Sequence, residues 1–256
     1  MSESIGDGAR LQGSRIRPRL PSTSGRTSST VRDVDKGTSG ENRLVRNTTL
    51  LFGTGIVAVA LVVSGVSPFD RLTWLLEVLP ALVAFPLMWA TRRRKELTPI
   101  LYGLIAAHAL VLILGGAYTY ARVPLGTWIA EAFGLHRNPY DKIGHFFQGL
   151  VPALVAREIL FGGGHVRRGK MLVFLVVCVV LAISAVYELV EWAAALALGQ
   201  GAEEFLGTQG DPWDTQSDMF LALIGSVSAL VVFSRLQDRQ MEARGVGRRA
   251  SGVGKS

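Results

Sequence analysis

Six apolar segments, separated by short polar stretches, dominate the pattern of this chain. Each has at least about 18 residues, near or above the roughly 20 that a helix needs to cross the ~30 Å hydrocarbon core of a bilayer. An open strand would leave backbone polar groups unpaired in lipid, so these segments predict helices. The pattern therefore predicts an all-α fold, a polytopic membrane helix bundle with about six transmembrane helices. The segments cover residues 48–66, 72–90, 97–118, 142–161, 171–198 and 219–236.

The polar stretches at the two ends define three regions. Residues 1–46 are rich in Ser, Gly, Thr and Arg and lack apolar clusters, which predicts a disordered basic tail. Residues 47–237 form the predicted transmembrane domain, and residues 238–256 a second disordered basic tail. Within the domain, residues 125–135 predict a short interfacial helix with Trp128 and Phe133 as anchors.

The basic residues of the chain lie mainly in its tails and in two of the connections between apolar segments. The formal net charge is +7 and 49% of the residues are hydrophobic. Basic residues fill connections 92–95 and 167–170 and both tails, whereas connection 199–217 has four acidic residues and no Lys or Arg. By the positive-inside rule, we expect both termini in the cytoplasm. This distribution argues against nucleic-acid binding and makes membrane lipid the expected partner.

Ionisable residues within or at the ends of membrane helices are costly and are candidates for function. The predicted topology brings such residues from three helices to one depth near the outer surface. Spacings of three or four residues place each pair on one helix face. With a single cysteine, Cys178, cysteine-based zinc sites and intrachain disulfides are excluded. Histidine with carboxylates suits a divalent metal ion, the candidate cofactor, or acid–base chemistry. The predicted metal ligands are Asp141, His145, Asp214 and Asp218, and the predicted catalytic residues are Glu188 and Glu191.

Structural roles compete for these residues. Asp141 and Asp214 also suit helix N-caps. Glu188 and Glu191 would need basic partners if they only hold the bundle together. The candidates for those partners are Lys142, Arg122 and Arg137.

Four further polar residues lie in the apolar segments. Arg157 and Glu158 are interpreted as an interfacial pair near the inner end of their helix. His108 is interpreted as a partner in a helix–helix hydrogen bond, and Glu77 could reach either region.

Three motifs carry a resemblance to a known family. They are YDKIGHFFQG at 140–149, YExxEW at 187–192 and GTQGDPWDTQSDM at 207–219. Over about residues 50–237 the chain resembles the YjdF-like bacterial inner-membrane proteins, a family of unknown function. The resemblance implies a location in the bacterial inner membrane and a polar centre formed by the six candidate site residues. A looser similarity links the chain to the VanZ-like family, whose members include a teicoplanin-resistance protein. Glu191 stands where that pattern tends to have Gln, so the similarity does not imply antibiotic resistance for this chain.

Two functional classes remain open. One is a metal-dependent enzyme with an outward-facing His/carboxylate site, acting on a lipid, a lipid-linked precursor or another cell-envelope substrate. The alternative is a non-enzymatic membrane protein, either a small transporter subunit or an envelope scaffold. A polar chamber confined to the outer end favours the enzyme, whereas polar lining that continues past His108 towards Arg157 favours transport.

Overall fold

Helices form every regular element in the part of the chain that the structure describes. The computed structural model describes residues 27–94, 96–198 and 209–244, with side chains from residue 44 onward. A short 3₁₀ turn, Tyr120–Arg122, lies between α3 and α4, and a π-helical stretch, Ala229–Phe233, joins α7 to α8. The predicted all-α class is confirmed. The helices are α1 Thr27–Val66, α2 Arg71–Thr91, α3 Pro99–Tyr118, α4 Pro124–Phe133, α5 Tyr140–Gly162, α6 Lys170–Leu198, α7 Asp214–Ser228 and α8 Ser234–Ala243.

The chain forms two compact units, Met1–Thr38 and Ser39–Ser256. Every contact described below lies in the second. Of the predicted disordered tails, residues 1–26 and 245–256 lie outside the described residues. Residues 27–46 belong to α1 rather than to irregular chain. At the other end, α8 runs past the predicted boundary at residue 237 because Met241 is fully buried against the bundle.

Five described helical segments are long and apolar enough to cross a membrane. The sixth predicted span is α5, which at 23 residues has the length to cross but carries several ionisable side chains. Helix α5 can carry these polar side chains because it packs against α3, α6 and α7, and fourteen of its residues are buried. The described domain thus has five apolar helices and one more polar, central helix. The apolar segments are Leu44–Val66, Arg71–Thr91, Pro99–Tyr118, Lys170–Ala197 and Asp214–Ala243.

Glycines bring α5 and α7 into close contact. A Cβ added at Gly149 would overlap the backbone carbonyl of Ala222, and one at Gly225 would overlap the carbonyl of Phe146. Small residues at a helix interface let backbones approach closely in a membrane. This contact sets the distance between the functional groups that α5 and α7 carry.

A buried polar network joins the far end of α5 to α8 and to the start of α3. Glu158 accepts hydrogen bonds from the backbone N–H of Thr98 (2.9 Å), from Gln237 Nε2 (3.1 Å) and from Arg244 (2.6 Å). Arg157 donates to Gln237 (2.9 Å) and to Asp238 (2.6 Å). The predicted interfacial pair of Arg157 with Glu158 is therefore wrong. Adjacent helical residues point in different directions, and each is buried with partners of its own.

The interfacial helix predicted at residues 125–135 is present as α4, Pro124–Phe133. Trp128 and Phe133 are among its most exposed side chains. Gly134 ends the helix in the left-handed conformation, with φ of 65°, which glycine adopts without steric cost.

Candidate functional site

The end of the bundle where α5 and α7 begin collects the acidic side chains of four helices. Asp141 and His145 lie in the first turns of α5, and Asp218 lies in the second turn of α7. Glu188 and Glu191 come from the last third of α6, and Glu77 comes from α2. Asp141, His145, Asp218, Glu188 and Glu77 are all buried. The described ion pairs bring two permanently cationic side chains to these acids, Arg137 and Lys142.

His145 is the centre of the site. Its Nδ1 is 3.0 Å from Gln148 Oε1, one turn further along α5. With the amide oxygen as acceptor, Nδ1 carries the hydrogen and Nε2 presents its lone pair. Nε2 is 3.4 Å from Asp141 Oδ1 and 3.8 Å from Asp218 Oδ2. A lone pair facing two carboxylates requires a positive charge between them, either a proton or a metal ion.

The three residues Asp141, His145 and Asp218 have the arrangement of a metal-binding group. One ligand atom from each lies within 4.8 Å of the others. Asp141 and His145 are four residues apart on α5 and share a face, while the close approach of α7 adds Asp218. A second carboxylate oxygen of this group, Asp141 Oδ2, is buried without a hydrogen-bond partner in the described structure.

Asp214, the fourth predicted metal ligand, lies outside this group. Its Oδ1 accepts from Lys142 Nζ (2.6 Å) and from Arg137 (2.7 Å). Lys142 Nζ also donates to Ser217 Oγ and to Asp218 Oδ1, both at 2.7 Å. Asp214 is thus engaged by two cations. Lys142 binds one oxygen of Asp218 and leaves the other facing His145.

The alternative role of Asp141 and Asp214 as helix caps does not match the geometry. The N-cap residues of α5 and α7 are Pro139 and Trp213, and neither makes a side-chain capping bond. Both aspartates lie in the first turn instead, where the helix dipole favours a negative charge.

The two predicted catalytic glutamates lie beside the group. Glu188 Oε1 is 3.8 Å from His145 Nδ1 and has no hydrogen-bond partner among the described residues. Glu191 is partly buried and lines a cavity together with Asp141 and His145. Lys142, one of the partners considered for these glutamates, bonds to the α7 side chains instead.

Several contributors were missed in the sequence. Tyr187 donates to Glu77 Oε2 (3.4 Å) and its ring meets that of His145 edge-on. Tyr120 lies close to the Glu77 carboxylate in the cavity lining. Burial and the nearby Glu77 carboxylate raise the pKa of Tyr120 well above its ordinary value, so this phenol keeps its proton and remains a donor. Helical spacing could have identified both Tyr187 and Gln148 in the sequence. Tyr187 lies four residues before Glu191, and Gln148 lies three residues after His145.

The connection before α7 is attached to the segment before α5. The Asn138 N–H donates to Gln209 Oε1 (2.9 Å), and Gln209 Nε2 donates to the Asn138 carbonyl (3.0 Å). Arg137 binds Asp211 at 3.0 Å. The sequence of connection 199–217 predicts an outer lid that carries Asp211 and Asp214 back over Glu188 and Glu191. Residues 199–208 lie outside the described part, and Asp211 contacts Arg137.

The site opens into a cavity of about 660 Å³ between α2, α3, α5 and α6. Most of its polar lining is at the site end: Glu77, Tyr120, Asp141, His145, Gln148, Tyr187 and Glu191. His108 lies further along, where its buried Nε2 has no partner within the described chain. The helix–helix hydrogen bond predicted for His108 is therefore absent at that nitrogen. Beyond His108 the lining is almost entirely apolar.

Removal of the Lys142 charge is expected to destabilise the protein. In Lys142→Met, Asp218 Oδ1 loses its ammonium partner. We expect the free energy of unfolding to fall by about 2 to 3 kcal/mol, less than for a fully enclosed pair, because the lysine side chain is 20% exposed. The measurement is reversible unfolding in mixed micelles with a chelator present, so that metal binding does not contribute.

The companion variant is Asp218→Asn. Because the two side chains contact each other, the double variant should be destabilised by less than the sum of the single effects. Additive losses would contradict the pairing.

Comparisons with known proteins extend over most of the chain. A family model described as predicted membrane protein (DUF2238) matches residues 49–239. Inner membrane protein YjdF of Escherichia coli strain K12 is 57% identical over 203 residues, which cover 79% of this chain and 95% of that protein. The looser VanZ-like similarity is not shown by either match. No solved structure matches the chain significantly.

Proposed function

The chain belongs to the DUF2238 family of predicted membrane proteins, as its resemblance to YjdF-like proteins implied, and from the geometry of its site we propose that it is a metal-dependent membrane enzyme. In this proposal Asp141, His145 and Asp218 hold one divalent metal ion. The enzyme acts on the polar headgroup of a lipid, or of a lipid-linked cell-envelope precursor. It lies in the bacterial inner membrane with both termini in the cytoplasm.

One observation carries the proposal: a buried His Nε2 faces two carboxylate oxygens within ligand reach of each other. Nitrogen and carboxylate ligands suit zinc or manganese. Catalytic zinc sites use three protein ligands and keep a further position open for water or substrate. The Gln148 contact orients the imidazole through its other nitrogen, as is usual for a metal-binding histidine.

The neighbouring glutamates supply a proton acceptor. A bound divalent ion would polarise an ester or phosphoryl oxygen of the headgroup and acidify a coordinated water. Glu188, whose Oε1 has no hydrogen-bond partner in the described structure, accepts the proton of the attacking water. Glu191 faces the cavity beside His145 and passes a proton to the leaving alcohol. Tyr187 holds Glu77 in the cavity wall, beside Tyr120.

The distribution of basic residues supports an outward-facing site. The Arg-rich connection after α2 and the basic connection before α6 lie at the opposite ends of those helices from Glu77 and Glu188. By the positive-inside rule that opposite end belongs in the cytoplasm. The substrate headgroup would then be on the periplasmic side.

The transport alternative has less support. A proton or ion path would need polar lining that continues from His145 to the network at the far end of α5. Neither Arg157 nor Glu158 lines the cavity, and both are engaged by partners in the buried network. Apart from Thr91, the polar lining therefore stops near His108, as expected for a chamber rather than a path.

The test separates metal binding from turnover. The purified protein, in nanodiscs made from a total bacterial envelope lipid extract, is incubated with Mn²⁺ or Zn²⁺ and the lipids are followed by mass spectrometry. We expect a metal-dependent product that a chelator abolishes. Glu188→Gln should retain the metal while the rate falls by roughly 10²–10⁴-fold, the usual contribution of a general base.

Glu131→Gln is the matched control, because Glu131 is an exposed acid on α4. It should leave both metal content and rate unchanged. A wild-type protein without metal and without product would overturn the proposal. Full turnover in Glu188→Gln would overturn the role of that residue.

A further inference from the structure

The apolar arm of the cavity has no part in the chemistry described above. It continues from His108 away from the site, and its polar side chains end with Thr91 at the far end. Along α5 the cavity lining extends from Asp141 to Ile159, a separation that corresponds to roughly 27 Å at 1.5 Å per residue. The arm is lined by residues such as Ala84, Met88, Val155 and Val179. It is thus long and apolar, with ionisable groups at one end.

The arm opens sideways between α2 and α6. Helix α2 packs on α3, and α6 packs on α5 and α7, while α2 and α6 are not among the helix pairs in close contact. Cavity-lining residues on both sides of this gap are exposed: Leu87 on α2 (60%), Ile183 on α6 (42%) and Ile159 on α5 (44%). In a membrane, the surroundings of such an apolar rim are lipid chains. A chain can enter here without crossing a polar barrier.

We infer that this arm binds one hydrocarbon chain of a membrane amphiphile, which enters between α2 and α6 and places its headgroup at Asp141, His145 and Asp218. The volume is typical of a small-molecule site, and the few polar groups converge at one end, where they would fix the headgroup. Water is a poor occupant because it needs two to four polar partners, which the arm does not offer. The identity of the headgroup chemistry rests on the proposed function, but binding of the chain does not.

The variant Ala84→Trp tests the arm. Ala84 lines the cavity and its side chain is exposed there, so an indole should fill the arm without displacing a packed neighbour. The matched control is Ala90→Trp, an exposed alanine of the same helix that does not line the cavity. Ile183→Trp on α6 provides a second blocking variant if Ala84→Trp fails to fold.

The probe is a phosphatidylethanolamine with a diazirine near the end of one acyl chain, incorporated in nanodiscs. After photolysis, we expect labels on the α5 and α6 lining residues, including Val155 and Val179. Labelling of these residues should fall roughly tenfold in Ala84→Trp, equivalent to about 1.4 kcal/mol of binding free energy, and stay unchanged in Ala90→Trp. The chain could belong to a phospholipid or to a polyprenyl lipid. Unlabelled phosphatidylethanolamine and unlabelled polyprenyl phosphate are added in parallel experiments, and the one that reduces labelling identifies the source.

Labels spread evenly over the lipid-facing surfaces, or cavity labels that survive in both blocking variants, would overturn the inference. Metal content measured on the same preparations separates the two proposals. Cavity labelling in a protein that binds no metal would refute the metal site and leave the chain site standing. Metal binding without cavity labelling would do the reverse.

Discussion

Replacement of His145 by alanine is expected to weaken the binding of a divalent metal ion by more than about a hundredfold, since even second-shell partners contribute 10- to 100-fold. The imidazole supplies the only nitrogen of the group formed with Asp141 and Asp218. Asp141→Asn and Asp218→Asn should each weaken binding as well, because an amide oxygen carries no charge. Calorimetric titration of Mn²⁺ or Zn²⁺ into the detergent-solubilised protein measures these affinities.

His136→Ala is the control for this prediction. His136 is exposed in the segment before α5, and its removal should leave the affinity unchanged. The competing account places a proton on His145, which would then form an ion triad with the two aspartates. In that case wild-type protein would show no saturable heat of binding, and His145→Ala would change stability without changing metal content.

Adding a single methyl group at Gly149 or Gly225 is expected to destabilise the bundle severely. In each case the new Cβ would overlap a backbone carbonyl of the facing helix, that of Ala222 or that of Phe146. Backbone atoms cannot move aside as a flexible side chain can, so α5 and α7 must separate. We expect a loss of about 3 kcal/mol or more in the free energy of unfolding, seen as a lower melting temperature or a failure to purify as a folded species.

Gly55→Ala is the control for the glycine variants. A Cβ at Gly55 meets nothing within 4 Å, so alanine there should be neutral or slightly stabilising through its better helix propensity. The prediction fails if Gly149→Ala and Gly225→Ala unfold at the same temperature as Gly55→Ala. Because the same contact positions Asp218 against His145, partly folded variants should also bind metal more weakly.

The hydrophobic pattern was sufficient for the class of fold, because a bilayer leaves a chain of this apolarity few choices other than helices. It was also sufficient to pair Asp141 with His145, since a four-residue spacing fixes a shared face within one helix. Helix α5 is shielded from lipid by its neighbours, so its polar residues face protein.

The sequence pattern could not predict how the helices pack against one another. Asp214 and Asp218 looked equivalent in the sequence, and Lys142 binds both. They differ because Asp214 is also bound by Arg137, whereas Asp218 keeps one oxygen facing His145. The rotation of α2 brings Glu77 to the site, and the approach of α8 to α5 gives Arg157 and Glu158 separate partners. The cavity depends on which helix pairs do not touch, and a linear pattern contains no such information.

The most direct test of the metal site is an anomalous diffraction experiment on crystals of the Mn²⁺- or Zn²⁺-loaded protein, with data collected on both sides of the metal absorption edge. The account predicts one strong anomalous peak between His145 Nε2, Asp141 Oδ1 and Asp218 Oδ2, at roughly 2.0–2.2 Å from each ligand atom for zinc. A map without a peak at this position, or with its peak elsewhere in the bundle, would contradict it.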